Sequence, residues 1–236
     1  TESIPKVQKI IGPGNQFVAE AKRQLYGEVG IDSIAGPSEL TVVADSRSDP
    51  ITISWDLMAQ AEHDEMASSI LVSTSQELIN EVKSLIKKEV PLLSRSNIIQ
   101  KSLRNRGVVI LAEDTEQAIS LVNQIAPEHV HIVTENPLKD SRSIINAGLI
   151  LSGKDSANAL SDYVLGPSHI LPTNGSSVFS SPLSVEDFIV HSSFINLGES
   201  SKLQEYDELV KNTSILARAE GLTAHAISAE IRKKKD

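Results

Sequence analysis

The sequence predicts an α/β fold in which a largely parallel sheet, made of incomplete Rossmann-like units, is flanked by helices and followed by a helical C-terminal tail. Strand-like and helix-like segments alternate along the chain, which is typical of parallel sheets with crossover helices. The run Leu40–Ala44 is almost wholly apolar, as expected of a strand that is covered on both faces. Apolar residues recur at helical spacing within Gln76–Glu89, which predicts an amphipathic helix there.

The individual strands are predicted where short apolar runs adjoin turn residues. In chain order they are Val7–Ile11, Gly30–Ala35, Leu40–Ala44, Ser69–Val72, Val108–Leu111, Val130–Val133 and Leu149–Leu151. Helices are predicted where apolar residues return at helical spacing, some of them behind a capping residue. In chain order they are Asn15–Tyr26, Ile51–Glu65, Gln76–Glu89, Ser96–Arg106, Asp114–Ile125 and Leu138–Asn146. The Gly-, Ser-, Asn- and Pro-rich segment Asp155–Pro182 is predicted to be a long functional loop, and the chain after Val185 to be mostly helical.

The composition excludes several classes of protein. The 236 residues carry 22 Lys and Arg against 31 Asp and Glu, a formal net charge of −9, so nucleic acids and anionic membranes are poor partners. Cysteine is absent, which excludes disulfides, thiolate zinc sites, iron–sulfur clusters and cysteine nucleophiles within this chain. We expect no membrane-spanning segment, because no apolar run is long enough to span a bilayer, and we expect no signal peptide. We therefore expect a cytoplasmic protein.

Two pairs of polar residues have spacings that suit chemistry. Gln60 and His63 lie three residues apart on a predicted helix, so an amide oxygen and an imidazole on one face can ligate a metal; the alternative is a solvated helix end. Glu128 and His129 follow Pro127 at a predicted helix-to-strand corner. They supply two bases of different strength, useful where two proton transfers are needed, and the alternative is a polar turn.

Other candidates are weaker when each is taken alone. Asp162 is either a metal ligand or a helix cap. On a continuous helix Glu220 and His225 would point about 140° apart, so Gly221 is predicted to interrupt the helix if both face one ligand. The segment Gly12–Asn15 before a helix is either a phosphate-cradling turn or a plain helix start. The remaining histidines without a partner set, His131 and His191, are interpreted as structural or surface residues.

Seven segments in order resemble the histidinol dehydrogenase family across essentially the whole chain. They are KIIGPGNQFVAEAK (9–22), AGPSE (35–39), QAEHD (60–64), APEHV (126–130), NAGLILSG (146–153), DYVLGPSHILPT (162–173) and AEGLTAHA (219–226). The resemblance implies oxidation of L-histidinol to L-histidine through an aldehyde, with two NAD⁺ reduced in succession. It also implies a histidine-biosynthetic enzyme that requires Zn²⁺.

The resemblance also implies roles for particular residues. The zinc ligands are Gln60, His63, Asp162 and His225, and the catalytic acid–base pair is Glu128 and His129. The substrate-binding residues are Ser38, Gln60, His63, His129, Asp162, Glu220 and His225. Asn15 contacts NAD, and His169 lies in a family segment without an assigned role. By this interpretation His129 takes the alcohol proton and Glu128 activates the water that hydrates the aldehyde.

The family normally has a large N-terminal portion before the stretch that begins at Ile4, so this chain resembles its C-terminal portion. We therefore expect a remnant of an NAD-binding domain at 1–35, a zinc and substrate domain at 36–181 and a dimerising tail at 182–236. The family forms intertwined homodimers, in which Glu220 and His225 would complete a neighbour's zinc site. Alternatives are a zinc- and histidinol-binding fragment with little turnover, an unrelated zinc hydrolase and a scaffold without a site.

Overall fold

A five-stranded parallel sheet organises the larger part of the molecule. The computed structural model describes residues 3–197 and 204–232, without the side chain of Gln204. The strands of the sheet are β3 (Glu39–Ala44), β4 (Ser68–Ser73), β5 (Gly107–Leu111), β6 (His129–Ile132) and β7 (Leu149–Ser152). Their order is β5-β4-β3-β6-β7, and every neighbouring pair is parallel. The predicted fold class, a parallel sheet flanked by helices with a helical C-terminal end, is confirmed.

A second, very short strand pair precedes this sheet. It consists of β1 (Lys9–Ile10) and β2 (Gly30–Ile31), which are also parallel. The helix α1 (Gln16–Leu25) connects them. The predicted strand Gly30–Ala35 is therefore mostly wrong, since only its first two residues pair and residues 32–35 lie in no regular element.

Helices cover both faces of the sheet. They are α2 (Pro50–Ala61), α3 (Gln76–Glu89), α4 (Ser96–Arg106), α5 (Thr115–Ile125), α6 (Pro137–Ser141) and α7 (Asn158–Tyr163). Short 3₁₀ turns lie at Val90–Leu92, Ser176–Val178 and Val185–Phe188. On one face Leu40 and Val42 pack with residues of α2 and α3, whereas Val43 packs on the other face with residues of α5. The apolar run Leu40–Ala44 is buried on both faces, as predicted.

Two predicted helices are shorter than the sequence pattern indicates. The helix α2 ends at Ala61 rather than Glu65, because the Asp64 carboxylate accepts a 2.8 Å hydrogen bond from the Met66 N–H and forms a turn there. The helix predicted at Leu138–Asn146 is only Pro137–Ser141. Its continuation is lost because the Asn123 side chain accepts the Ile145 N–H at 2.8 Å.

The predicted long loop Asp155–Pro182 is not wholly irregular. It contains the helix α7 and the 3₁₀ turn Ser176–Val178. The remainder, including residues 164–175, has no helix or strand and carries the predicted turn-rich sequence along the wall of a cavity described below.

The chain divides into two compact units, Thr1–Ile189 and Val190–Asp236. In the second unit α8 (Gln204–Ala219) packs against α9 (Thr223–Glu230), and Arg218 pairs with Glu230 at 2.9 Å. Gly221 separates the two helices with φ +77°, so the predicted interruption at this glycine is confirmed. Within the described part, the chain predicted to be mostly helical after Val185 consists of the 3₁₀ turn Val185–Phe188, the irregular residues 189–197 and the helices α8 and α9. No helix of the described residues is long and apolar enough to cross a membrane.

Candidate active site

A cavity of about 360 Å³ opens at the amino ends of the sheet strands. Ser38 immediately precedes β3 and Glu128 immediately precedes β6, so the parallel arrangement brings both to one edge. This is the opposite edge from the carboxyl ends of the strands, where ligands of open α/β sheets usually bind. The lining residues come mainly from the segments 12–14, 33–38, 128–129 and 161–173, together with His63 and Leu149.

The Glu128 carboxylate is held by two donors from the start of β3. Its Oε2 accepts from the Ser38 hydroxyl at 2.8 Å and from the Glu39 backbone N–H at 2.9 Å. The side chain is only 9% exposed. Because these two bonds occupy one oxygen, the carboxylate has a fixed orientation beside the cavity. A general base needs such a fixed orientation, since its oxygen must lie within reach of the proton that it accepts.

His129 is oriented by the same segment. Its Nδ1 lies 3.0 Å from the Glu39 carbonyl oxygen and 3.5 Å from Glu128 Oε2. Both neighbours are acceptors, so Nδ1 carries the proton in the neutral ring, and Nε2 is the basic nitrogen. The ring is buried and lines the cavity, which gives a base whose tautomer is set by its partners.

Opposing influences act on the ionisation of this site. Burial by itself lowers the pKa of His129, but Glu128, the Glu39 carbonyl and Asp162 together raise that pKa above its ordinary value. Burial raises the pKa of Glu39, and the Glu128 charge adds to the increase. The backbone N–H groups of Glu128 and Asn174 favour the ionised Glu39 and limit the increase. His129 therefore sits in a negative environment that favours the imidazolium.

His63 and Asp162 approach each other across the cavity wall. Their Nε2 and Oδ2 atoms are 3.8 Å apart. His63 lies beyond the end of α2, so the prediction that it shares a helix with Gln60 is wrong. A turn still keeps the two close in the chain, since the His63 N–H donates to the Gln60 carbonyl at 3.3 Å.

Gln60 is buried at 1% exposure, and neither atom of its amide has a hydrogen-bond partner among the described residues. An unsatisfied buried amide is costly, so a bound ligand would stabilise this group. Gln60 does not itself line the cavity, whereas His63 and Asp162 do. No group of three His, Cys, Asp or Glu side chains within the described ranges could hold a metal. The fit to zinc rests instead on Gln60, His63 and Asp162, which supply one amide, one imidazole and one carboxylate.

Sequence reasoning missed Asn158, one helical turn before Asp162 on α7. Asn158 is buried at 5% exposure, and its Oδ1 has no partner in the described part of the chain. In the sequence, Asn158 was indicated only by its spacing of four residues from Asp162, which places both residues on one helix face.

The Gly12–Gly14 turn forms another wall of the cavity, directly before α1. Asn15 caps this helix, with its Oδ1 accepting from the N–H groups of Phe17 at 3.0 Å and Val18 at 3.2 Å. Of the two interpretations of Gly12–Asn15, the structure supports a helix start, because Asn15 is the N-cap of α1. A Cβ on Gly14 would lie 2.5 Å from that of Val18, so this position needs glycine.

The AGPSE segment is joined to the end of the long loop. The Gly36 N–H donates to the Thr173 hydroxyl at 2.6 Å. A Cβ on Gly36 would lie 1.9 Å from the Asn174 Nδ2, which explains why glycine stands there. Ser38 and His169 both line the cavity that these two segments enclose.

Glu220 and His225 belong to the second unit, on either side of the turn at Gly221. Both are exposed. The His225 N–H donates to the Leu222 carbonyl at 3.1 Å, which forms the first turn of α9. His191 is an exposed residue of the same unit. His131, in the first unit, is structural, because its ring bridges Asp56 at 3.1 Å and the Gly153 carbonyl at 2.8 Å.

The comparisons with known proteins decide the family. The model of the family described as histidinol dehydrogenase matches residues 1–233. The chain belongs to the histidinol dehydrogenase family. It is 51% identical over 234 residues to the histidinol dehydrogenase of Clostridium acetobutylicum, and 45% identical over 236 residues to that of Listeria monocytogenes.

A crystal structure of histidinol dehydrogenase from Elizabethkingia anophelis has the same fold. It superposes with a TM-score of 0.87 at 33% identity and covers 98% of this chain. The present chain spans 53% of that structure's chain and 53% of the Clostridium acetobutylicum relative. The family is thus shown over almost the whole chain, whereas the chain spans about half the length of these histidinol dehydrogenases.

Proposed function

We propose that this chain carries the zinc- and substrate-binding part of an enzyme that oxidises L-histidinol to L-histidine through the aldehyde, with NAD⁺ as the hydride acceptor. The observation that carries the proposal is the Glu128–His129 pair, fixed by Ser38 and Glu39 at the cavity that His63 and Asp162 also line. Family membership supplies the reaction. We assign 1–35 to the NAD-binding part, 36–181 to the zinc and substrate domain, and 182–236 to a dimerising tail.

Gln60, His63 and Asp162 would hold the zinc ion from within one copy. Two observations support this assignment: the Gln60 amide has no hydrogen-bond partner among the described residues, and the side chains of His63 and Asp162 approach to 3.8 Å. His225 would be the fourth ligand and Glu220 a substrate contact, both supplied by a second copy through exchange of the tail in a homodimer. When bound, zinc would orient the substrate, whose imidazole is a natural ligand.

His129 acts as the general base in the first oxidation. Its Nε2 takes the proton of the alcohol O–H, and NAD⁺ would accept the hydride of the carbon that bears this hydroxyl, so that the aldehyde forms. The Glu39 carbonyl and Glu128 stabilise the imidazolium that forms, because both are acceptors near Nδ1. Asn15 follows the Gly12–Gly14 turn, caps α1 and would contact NAD⁺, so we assign NAD⁺ to the cavity wall that this turn forms.

Glu128 acts as the base in the second oxidation. It takes a proton from water, and the resulting hydroxide adds to the aldehyde to give the hydrate anion. A second NAD⁺ would accept the hydride of this anion, and the carboxylic acid that results would release its proton to solvent as the carboxylate. Aldehyde oxidation through a cysteine adduct is not open to this chain, which has no cysteine. Ser38 and the Glu39 N–H hold the carboxylate in place for this step.

A second candidate function is a zinc- and histidinol-binding fragment with little turnover. It is favoured by the length of the chain, which spans 53% of the Clostridium acetobutylicum relative. A cytoplasmic location remains part of the proposal for either candidate.

The experiment is NADH formation from L-histidinol with added zinc and then with a chelator. Chelator-sensitive turnover supports the enzyme, and L-histidinol binding without turnover supports the fragment. Glu128→Gln should slow oxidation of the aldehyde by about a hundredfold and leave the alcohol step less affected. Glu135→Gln, at an exposed residue paired with Arg47, is the matched control. Aldehyde oxidation at the parent rate in Glu128→Gln would contradict the role of Glu128.

A further inference from the structure

Lys22 and Asp32 form a buried ion pair beside the cavity. Lys22 Nζ lies 2.6 Å from Asp32 Oδ1, and the two side chains are only 4% and 2% exposed. Burying two charges is costly, and the cost is offset only where the geometry is good and the remaining donors and acceptors are satisfied. The pair therefore needs further hydrogen-bond partners for its remaining donors and acceptors.

Those partners are the backbone groups of the glycine turn. Asp32 Oδ2 accepts from the Gly12 N–H at 2.8 Å, and Lys22 Nζ donates to the Gly12 carbonyl oxygen. Asp32 Oδ1 also accepts from the Ser33 N–H at 2.7 Å. The ion pair thus holds both polar groups of Gly12 and connects them to the segment that begins at Ser33.

The turn begins at a conformationally permissive residue. Gly12 has φ +128°, which glycine adopts readily, and glycine loses much conformational freedom when it is ordered. The preceding strand β1 has only two residues. Gly12 and Ser33 both line the cavity, whereas Lys22 and Asp32 do not. The pair therefore acts on the cavity through the turn.

We propose that the Lys22–Asp32 pair is a positioning device that fixes the Gly12–Gly14 turn in the conformation that binds NAD⁺. Lys22 and Asp32 are positioning residues and touch neither substrate nor cofactor. The proposal rests on the proposed function for its assignment of NAD⁺ to this wall. Ordering the turn before binding removes an entropy cost from cofactor binding, so the pair contributes to NAD⁺ affinity rather than to the chemical step.

The test compares Lys22→Met and Asp32→Asn with Lys83→Met, a control at an exposed lysine of α3. Each protein is titrated with NAD⁺ alone, L-histidinol alone and zinc alone, and the Gly12 amide resonance is followed by ¹H–¹⁵N NMR. We expect the Gly12 resonance to move in both pair variants and NAD⁺ affinity to fall by about tenfold. L-Histidinol affinity and zinc stoichiometry should stay within about twofold of the parent.

Several outcomes would overturn the proposal. One is unchanged NAD⁺ affinity despite a displaced Gly12 resonance, and another is a Gly12 resonance that does not move. A joint loss of NAD⁺, L-histidinol and zinc binding, or failure of both variants to fold, assigns the pair to general stability. A parent that binds no NAD⁺ also overturns it. A parent that binds NAD⁺ but forms no NADH favours the binding fragment over the active enzyme, and the variants still decide the role of the pair.

Discussion

The Ser38 hydroxyl donates to Glu128 Oε2 over 2.8 Å, although the two residues are 90 positions apart in the sequence. The bond joins the turn before β3 to the residue before β6, two strands that are direct neighbours. The Glu39 N–H donates to the same oxygen at 2.9 Å. Strand pairing thus brings a hydroxyl, an amide and a carboxylate together, and it leaves the other oxygen of Glu128 free of these bonds.

Ser38→Ala should weaken the proposed water-activating role of Glu128. The Glu39 N–H remains, so the carboxylate loses one of two donors and some of its orientation. We expect turnover with L-histidinol to fall by about tenfold, consistent with a hydrogen bond to a charged group. Steady-state NADH formation measures this, with Ser120→Ala at an exposed serine as the control. Turnover equal to the parent would show that the Ser38 bond does not contribute to catalysis.

His129 should titrate above the ordinary pH range of histidine in the metal-free chain. The pKa is raised, so the ring's charged form stabilises the fold below the unfolded-state pKa near 6.5, and this contribution is lost as the pH rises through the folded-state value. Glu128→Gln should lower the pKa of His129, because it removes a charge that raises it.

The measurement for His129 is the pH dependence of its imidazole C2–H chemical shift, in the parent and in Glu128→Gln. Glu135→Gln serves as the control, because it removes an exposed carboxylate elsewhere. If the shift of His129 followed the same pH profile in the parent and in Glu128→Gln, the Glu128 carboxylate would not determine the ionisation of His129.

Gln60→Met should stabilise the metal-free chain and weaken its response to zinc. The variant replaces a buried amide that lacks partners within the described residues by an apolar side chain of similar length. Removing such a group should raise the free energy of unfolding by about 1–3 kcal/mol. Zinc should raise the melting temperature of the parent more than that of the variant.

Thermal unfolding with a chelator and then with zinc measures both effects of Gln60→Met. Gln124→Met, at an exposed glutamine, is the control and should respond to zinc like the parent. A variant that melts below the parent without metal, yet gains as much from zinc, would show that the Gln60 amide has other partners and is not a ligand.

Asp32 should determine part of the acid stability. Its pKa is lowered from 3.8, because burial, which raises it, is outweighed by the bonds from Gly12, Lys22 and Ser33. The stability that Asp32 contributes is therefore present above the unfolded-state pKa and is lost as the pH falls through the lower folded-state value. Asp32→Asn should reduce this acid dependence.

At neutral pH, Asp32→Asn should also cost about 3–5 kcal/mol, because Lys22 would keep a buried charge without its carboxylate. Urea unfolding between neutral pH and pH values below that of ordinary carboxyl titration measures both effects. Asp155→Asn, at an exposed aspartate, is the control and should unfold like the parent at neutral pH. An acid dependence in Asp32→Asn as steep as in the parent would contradict the lowered pKa.

Gly36→Ala should destabilise the fold through one identified contact. The added Cβ would lie 1.9 Å from Asn174 Nδ2, and overpacking of this kind costs about 1–3 kcal/mol. Asn174→Gly removes the obstructing side chain at a residue whose φ of +53° suits glycine. In a double-mutant cycle measured by urea unfolding, Gly36→Ala should therefore cost less in the Asn174→Gly background. Equal costs in both backgrounds would place the strain elsewhere.

Much of the secondary structure follows from the sequence because its causes are local. The helices Gln76–Glu89 and Ser96–Arg106 end at the predicted residues. The pattern also predicted the break at Gly221, where glycine adopts a positive φ. The pattern failed to predict where two helices end, because side chains there bind backbone N–H groups in competition with the helix. The Asp64 carboxylate ends α2 early, and Asn123 of the neighbouring helix α5 ends α6.

For the site, the sequence by itself determined which residue types are present and their order, and the resemblance attached roles to them. The tertiary structure decided which of them meet. Strand pairing in register places Ser38 beside Glu128. The packing of α1 against the glycine turn buries Lys22 with Asp32. The helix α7 brings Asp162 close to His63. These contacts depend on how distant segments pack, whereas spacing along the chain reports only neighbours on one helix or strand.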